Sequence, residues 1–347
     1  MGNLSTPIKM RRVTRKDVAA RAGVSTAVVS YVLNDGPRPV SPATRQRVEQ
    51  AIHELNYFPN ELARGLRTQQ TLTIGLIIPN LANPIHAEIA ISLQSTCNEQ
   101  GYLVLLCHSR HDPEQERRYV QMLRVKHVDG VIINPSQPPL PLIEPLLQAG
   151  IHTVVLQHDL TEIPCIAADD LLGGRLAAKH LLGLGHRRMA LIRRTPGSAT
   201  SIRRHEGYRQ VLTEASIPYD PALVVESGPG LAAGYGAMQI LLALPDPPTA
   251  VIAHNDLLAL GAMHAIRAAG LGIPGDVSVV GYDDTATSAY LEPPLTTVKF
   301  PAEEMGREAA QLLLRLVQHT VSEPLRPLIL PIELVVRAST APPHTNR

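Results

Sequence analysis

The 347-residue sequence predicts an all-α head followed by an α/β body built on parallel sheets, and three observations carry that reading. Residues 13–34, VTRKDVAARAGVSTAVVSYVLN, hold two capped helical segments on either side of a glycine. Charge is divided unevenly: up to Thr68 there are eleven Lys and Arg against five Asp and Glu, a net +6, which leaves −5 on the remainder. From Leu72 onward, short β-rich apolar runs alternate with helical patterns. A chain of this length suits two or three domains. Its 44% hydrophobic and 18% charged residues are those of a globular protein rather than a disordered one.

In the head, Thr14 followed by Asp17 forms a capping box for a helix running to Ala22. Gly23 permits the turn that follows, and Ser25 caps a second helix. Along that second helix Val28, Val29, Val32 and Leu33 make one apolar face, while Thr26, Ala27, Ser30 and Tyr31 fall on the other. Three valines disfavour an isolated helix, so the segment needs packing partners. SPATRQRVEQAIHELNY supplies one: Ser41 caps, Pro42 fits the first turn, and Val48, Ala51, Ile52 and Leu55 recur at helical spacing. The outward face of the second helix is short-chained and its flanks are basic, the geometry of a helix-turn-helix whose second helix enters a major groove. A basic head on an acidic body is the asymmetry expected when only the head meets a polyanion.

In the body, LTIGLIIP, YLVLLC, GVIIN, HTVVLQ, RMALIRR, AVIAHN and VSVVGYDD read as buried strands separated by helices, hence parallel sheets covered on both faces. Such sheets bind ligands at the carboxyl ends of their strands. The polar residues there are Asn80, Asn134, Gln157, Asn255, Asp256, Asp283 and Asp284. Without further information, Asp283 and Asp284 could equally end a strand or cap the next helix.

DVAARAGVSTAVVSYVLN, VSPATRQRVEQAIHELNYFPNELARGLRT and IGLIIPN, followed by HLLGLGHRRMALI, HNDLLALGAM, DVSVVGYDDT and PPLTTVK, resemble the LacI/GalR family of bacterial transcriptional regulators over more than nine tenths of the chain. The resemblance implies a helix-turn-helix DNA-binding domain (1–59), a hinge helix and linker (60–70) and an effector-binding and dimerisation core (71–340), with a tail at 341–347. It further implies that the core is periplasmic-binding-protein-like: two doubly wound parallel-sheet subdomains, about 71–168 with 299–328 and about 169–298 with 329–340. The chain would cross between them near Ala168, Val298 and Leu328. Implied partners are double-stranded operator DNA, a second copy of the chain and a small-molecule effector, a sugar or another small polar metabolite, with neither cofactor nor metal.

The DNA-binding set that follows is Thr14, Arg15, Lys16, Ser25, Thr26, Ala27, Ser30, Tyr31, Asn34 and Thr44, with Asn60, Ala63 and Leu66 in the hinge. Residues 60–66 are long enough to be helix-capable but too short, with Gly65, to persist as an isolated helix in water. The family implies that two such helices form on DNA and wedge Leu66 into the minor groove. The effector set is Asn80, Ile85, His86, Asn134, Gln157, Arg204, Asn255 and Asp283, with Arg204 of RRHEGY as the bidentate donor to effector hydroxyls or carboxylates.

Departures from the family are informative. NPIH places Ile85 and His86 where relatives wall the pocket with aromatics, Gln157 replaces an aspartate of sugar-responsive members, and SGPGLAAG offers no stacking ring. A pocket without a stacking platform suits purines poorly. Tyr31 stands where relatives carry an Arg or Lys that reaches guanine.

Other chemistry has little to stand on. The three cysteines form no metal-ligand ladder and read as buried cytosolic thiols. His108 and His111 read as solvent-exposed residues after a strand rather than as metal ligands. Gly173 and Gly174 read as close helix packing, not a phosphate loop. MGNLSTPIKMRR lacks a secretory h-region and no apolar run spans a bilayer, so the expectation is a cytoplasmic protein with no membrane contact. No nucleophile and base are paired in the sequence, so a non-enzyme is expected, and a ligand-binding module without operator function is the competing reading.

Overall fold

The computed structural model describes residues 13–34, 38–58, 70–194, 198–319 and 326–344, and the chain divides into two compact units at Thr71/Leu72. In the first unit, α1 (Arg15–Ala22), α2 (Thr26–Asn34) and α3 (Pro42–Glu54) share a small core. Asp17 accepts hydrogen bonds from the Thr14 backbone amide (2.8 Å) and hydroxyl (2.6 Å) at the start of α1. Gly23 ends it in the left-handed region, φ 67°. Ser41 caps α3 by accepting from the Thr44 amide at 3.3 Å. Val18, Val29 and Val48 are fully buried between the three helices, with Ala51 and Tyr57 closing the core.

The second unit carries two six-stranded sheets. The first contains β1 (Thr73–Ile78), β2 (Leu103–His108), β3 (Gly130–Ile133), β4 (His152–Leu156), β5 (Cys165–Ala168) and β11 (Leu328–Leu330), in the order β11-β5-β4-β3-β1-β2. The second contains β6 (Met189–Arg194), β7 (Val224–Ser227), β8 (Ala250–Ala253), β9 (Ser278–Asp283), β10 (Thr296–Lys299) and β12 (Glu333–Val335), in the order β12-β10-β9-β8-β6-β7. All pairings are parallel except β12 with β10, an antiparallel edge that departs from the wholly parallel expectation. An edge strand has one neighbour only and tolerates reversal without a crossover helix.

Alternation along the strands sends side chains to opposite faces. Ile74, Leu76 and Ile78 pack beneath α4 (Pro84–Glu99) and α11 (Ala302–Val317), while Ile77 packs with α5 (Pro113–Val125) and α6 (Leu140–Gln148). In the second sheet, Leu191 and Ile252 face the side of α7 (Asp170–Gly183) and α8 (Ala199–Glu214), and Ala190 and Val251 face α9 (Leu231–Leu242) and α10 (Asp256–Ala268). The chain passes between sheets after β5, after β10 and after β11. The third passage follows Leu330 rather than Leu328, because Leu328–Leu330 pairs with Ile166–Ala168 in the first sheet.

α7 and α8 touch backbone to backbone. A Cβ on Gly174 would lie 2.1 Å from the Arg204 carbonyl oxygen, and one on Gly207 2.2 Å from that of Leu171. Close packing is therefore the use of Gly174, and it holds Arg204 and Asp170 at a fixed separation. Cys97 and Cys165 are buried and Cys107 half-buried; burial raises all three thiols, Cys97 and Cys165 to about 11.

Candidate functional site

In the head, α2 turns Val29 and Val32 inward, with Leu33 packed against the same core, whereas Val28, expected on that face, is half-buried outside it; Ser25, Thr26 and Ala27 are exposed, and Ser30 and Tyr31 half-buried. Arg15 and Lys16 are exposed at the start of α1. Thr14 and Ser25 also cap, Ser25 accepting from the Val28 amide at 3.3 Å. The half-buried Thr44 accepts from the Ser41 hydroxyl at 2.9 Å. Asn34 is the last residue of α2. Asn60, Ala63 and Leu66 lie outside the described residues.

The strand ends of the two sheets face a cavity of about 280 Å³. Seven of the eight sequence-predicted effector residues line it: Ile85, His86, Asn134, Gln157, Arg204, Asn255 and Asp283. Asn80 does not. Its side chain folds back to accept from the Ala82 amide at 3.0 Å, and its carbonyl oxygen accepts from His86 Nδ1 at 2.6 Å. A carbonyl cannot donate, so His86 carries its proton on Nδ1 and Nε2 faces the Asn134 amide at 3.5 Å. Burial, resisted by that carbonyl, lowers the His86 pKa to about 4.

Asp256 and Asp284 are structural. Asp256 accepts from the hydroxyls of Ser288 and Thr297, each at 2.6 Å, and from the Thr285 amide, bracing the loop after β9. Asp284 accepts from Arg337 Nη2 at 2.6 Å. Asn255 caps α10 through the Leu258 amide, so its side-chain oxygen is already committed.

Arg204 is 7% exposed and built into a network. Its Nε donates to Asp170 Oδ1 at 2.7 Å, Nη1 donates to the His254 carbonyl oxygen at 2.6 Å, and the guanidinium lies 3.4 Å from the centroid of the Tyr282 ring. Burial opposes its charge, but Asp170, Tyr282 and Asp283 hold its pKa above the usual arginine value. Nη2 is the nitrogen left over from these contacts. Asp283, at φ 123°, accepts from Asn83 Nδ2 at 3.1 Å, and burial together with Asp256 pushes its carboxyl well above the usual range.

Sequence reasoning missed Asn83, Ser136, His158, Arg194, Thr200, His254 and Phe300, which also line the cavity. Arg194 ends β6 and His254 follows β8, positions that the strand-end rule points to as plainly as Asn255. Phe300, immediately after β10, supplies an aromatic that the segments at 85–86 and 228–234 do not. His111 is half-buried in the cavity wall rather than solvent-exposed, its Nε2 accepting from Arg194 Nη1 at 3.1 Å, and His108 is half-buried too. The cause is the turn after β2: Arg110 and His111 adopt left-handed backbone, φ 59° each, which carries the ring into the wall. Among the described residues no cluster of His, Cys, Asp and Glu is arranged for a metal ion.

The neutral imidazoles set a pH response. Unfolded histidines bind a proton near pH 6.5, whereas the folded chain protonates His86 only near pH 4 and His111 near pH 3, both lowered first by burial. The unfolded state therefore binds more protons below about pH 6.5, and stability that is full above it drains as pH falls toward 4. The melting temperature is expected to drop between about pH 7.5 and 5, and His86→Asn is expected to flatten that drop; an unchanged slope in the variant would remove His86 from the account.

A short-chained recognition helix in one unit and a polar, walled cavity at the strand ends of the other define a ligand-responsive DNA-binding class of protein. The family model for bacterial regulatory proteins of the lacI family matches residues 14–60, and that for a periplasmic binding protein-like domain matches residues 178–340. The chain is 36% identical over 339 residues to the HTH-type transcriptional regulator DegA of Bacillus subtilis (strain 168), covering 96% of this chain and all of DegA. It is also 36% identical over 332 residues to the repressor CytR of Escherichia coli (strain K12), covering 94% of this chain and 96% of CytR. The lac repressor dimer bound to operator and the anti-inducer ONPF superposes with a TM-score of 0.87 at 34% identity, over 95% of this chain and all of that one. The CelR–cellobiose complex superposes with a TM-score of 0.71 at 35% identity, over 94% and all of the respective chains. The chain belongs to the LacI family of bacterial transcriptional regulators. No helix among the described residues is long and apolar enough to cross a membrane.

Proposed function

We propose that the chain is a cytoplasmic, non-enzymatic repressor that binds a pseudo-palindromic operator as a homodimer and responds to a small polar effector in the cavity between the two sheets. The observation that carries this reading is the division of α2, with Val29 and Val32 buried while Ser25, Thr26 and Ala27 stand exposed beside the basic first turn of α1. One such module buries too little surface for tight specific binding, and paired half-sites supply the rest. The lac repressor dimer seen on operator and CelR seen with cellobiose support both halves of the reading, as do the relatives named as regulators rather than as enzymes. Effector and operator binding are then reciprocally coupled, typically by about 1–3 kcal/mol.

Selection of bound duplexes from a random pool, with and without metabolite extract, tests the proposal. Enrichment of a palindrome that changes with extract is expected, with affinity falling steeply in salt. No enrichment would overturn it in favour of a ligand-binding module. Thr26, Ala27 and Tyr31 set the operator preference in this reading. Tyr31→Arg is expected to shift the preferred base at one symmetric position toward guanine, on the order of 1–3 kcal/mol of discrimination, measured by the same selection. An unchanged preference would take Tyr31 out of the reading face.

A further inference from the structure

Arg194 is the cation in the cavity wall that the network around Arg204 does not use. Asp170 is spent on Arg204 and on the Tyr282 hydroxyl, and Asp283 accepts from Asn83. Arg194 ends β6 with Nη1 on the neutral imidazole of His111 at 3.1 Å, and its Nε is buried with no hydrogen-bond partner among the described residues. Among those residues it forms no ion pair, whereas the adjacent Arg193 meets Glu226 at 3.7 Å and His205 at 2.8 Å. Arg194 as a whole is half-buried, but a cation whose Nε is buried and unsatisfied is costly unless something supplies the missing charge and acceptor.

The surroundings point to what supplies it. The first turn of the 16-residue helix α8 reaches the same cavity wall through Ser198, Ala199 and Thr200. The Ser198 side chain takes the Ser201 amide, so the Ala199 and Thr200 amides precede the first capped position, at the positive end of the helix dipole. His111 accepts through Nε2, which leaves Nδ1 as the donor of its ring. Burial lowers the Arg194 pKa and, with Arg194 beside it, holds His111 near 3, so the imidazole stays neutral and supplies no counter-charge to the guanidinium, which an anion would.

We propose that the effector carries an anionic group, a carboxylate or a phosphate ester, seated against Arg194 and His111 at the start of α8. The inference rests on the effector reading above and deepens it. Arg204, already neutralised by Asp170, then serves the hydroxyl end of the ligand, and Arg194 the acidic end. A planar guanidinium with two adjacent donors matches either oxyanion.

The test titrates the full chain at constant ionic strength with sodium phosphate, sodium acetate and a matched series of glucose, glucuronate and glucose 6-phosphate, read by calorimetry and thermal shift. Acidic members are expected to bind and stabilise the protein while glucose does not, and the stronger of the two acids tells carboxylate from phosphate. Arg194→Gln is expected to weaken the acid at least about tenfold. Arg194→Lys should keep part of the affinity and Arg193→Gln all of it, with circular dichroism confirming the fold of each variant. Glucose binding as tightly as its acids, Arg194→Gln binding them as wild type does, or no response of the wild type to any anion would each overturn the proposal. Binding of the selected operator duplex is measured on the same samples. Operator binding without an anion response retires the anionic effector alone, whereas loss of operator binding by the wild type retires the regulator reading.

Discussion

Asp170→Ala is expected to destabilise the second unit by about 3–5 kcal/mol, the cost of leaving a buried guanidinium without its partner. Asp170 and Arg204 side chains are 2% and 9% exposed, and Oδ1 accepts both from Arg204 Nε at 2.7 Å and from the Tyr282 hydroxyl at 3.0 Å. Removing the carboxylate orphans two donors at once and leaves the cation over the Tyr282 ring, whose quadrupole attraction is too weak to replace an ion pair. Asp170→Asn keeps an acceptor oxygen and should cost less. Adding Arg204→Met to Asp170→Ala removes the unpaired charge and should recover part of the loss, which neither single change does. Thermal melting of the full chain reads the effect, a fall on the order of 10 °C for Asp170→Ala. A melting temperature within about 2 °C of wild type would mean that Arg204 finds another counter-charge on relaxation.

The same network shows where the sequence is legible and where it is not. Apolar runs such as RMALIRR and VSVVGYDD announce their strands because burial on both faces demands continuous hydrophobicity, and β6 and β9 fall within those segments. β7, β11 and β12 have mostly exposed or half-buried side chains and carry no such signal. Arg204 is legible through its motif, but Asp170 is not, because their pairing across 34 residues depends on Gly174 and Gly207 bringing two helix backbones together. Asn80 looks like a ligand residue by position, yet a local hydrogen bond to the amide two residues on captures its side chain. His111 looks exposed by pattern, and only the left-handed turn at Arg110 and His111 shows that it enters the wall.

Val29→Ser is expected to abolish operator binding at physiological temperature while leaving ligand binding by the second unit intact. Val29 is fully buried among Val18, Val32, Val48, Ala51 and Tyr57, in a core assembled from three short helices. The substitution removes buried methyl area and inserts a hydroxyl into apolar surroundings, together about 3 kcal/mol. A unit this small has little stability in reserve, so most of its folded population is lost. Binding requires the folded head, and apparent operator affinity falls in proportion to the folded fraction, on the order of 100-fold. Thr26→Ala, on the exposed face of the same helix, removes no core contact and should leave the head folded while changing operator preference. Far-ultraviolet dichroism and operator titration separate the two variants: Val29→Ser loses helix and affinity together, whereas Thr26→Ala alters affinity alone. If Val29→Ser kept its helical signal and its operator affinity, the three-helix core would not be what holds the recognition helix in place.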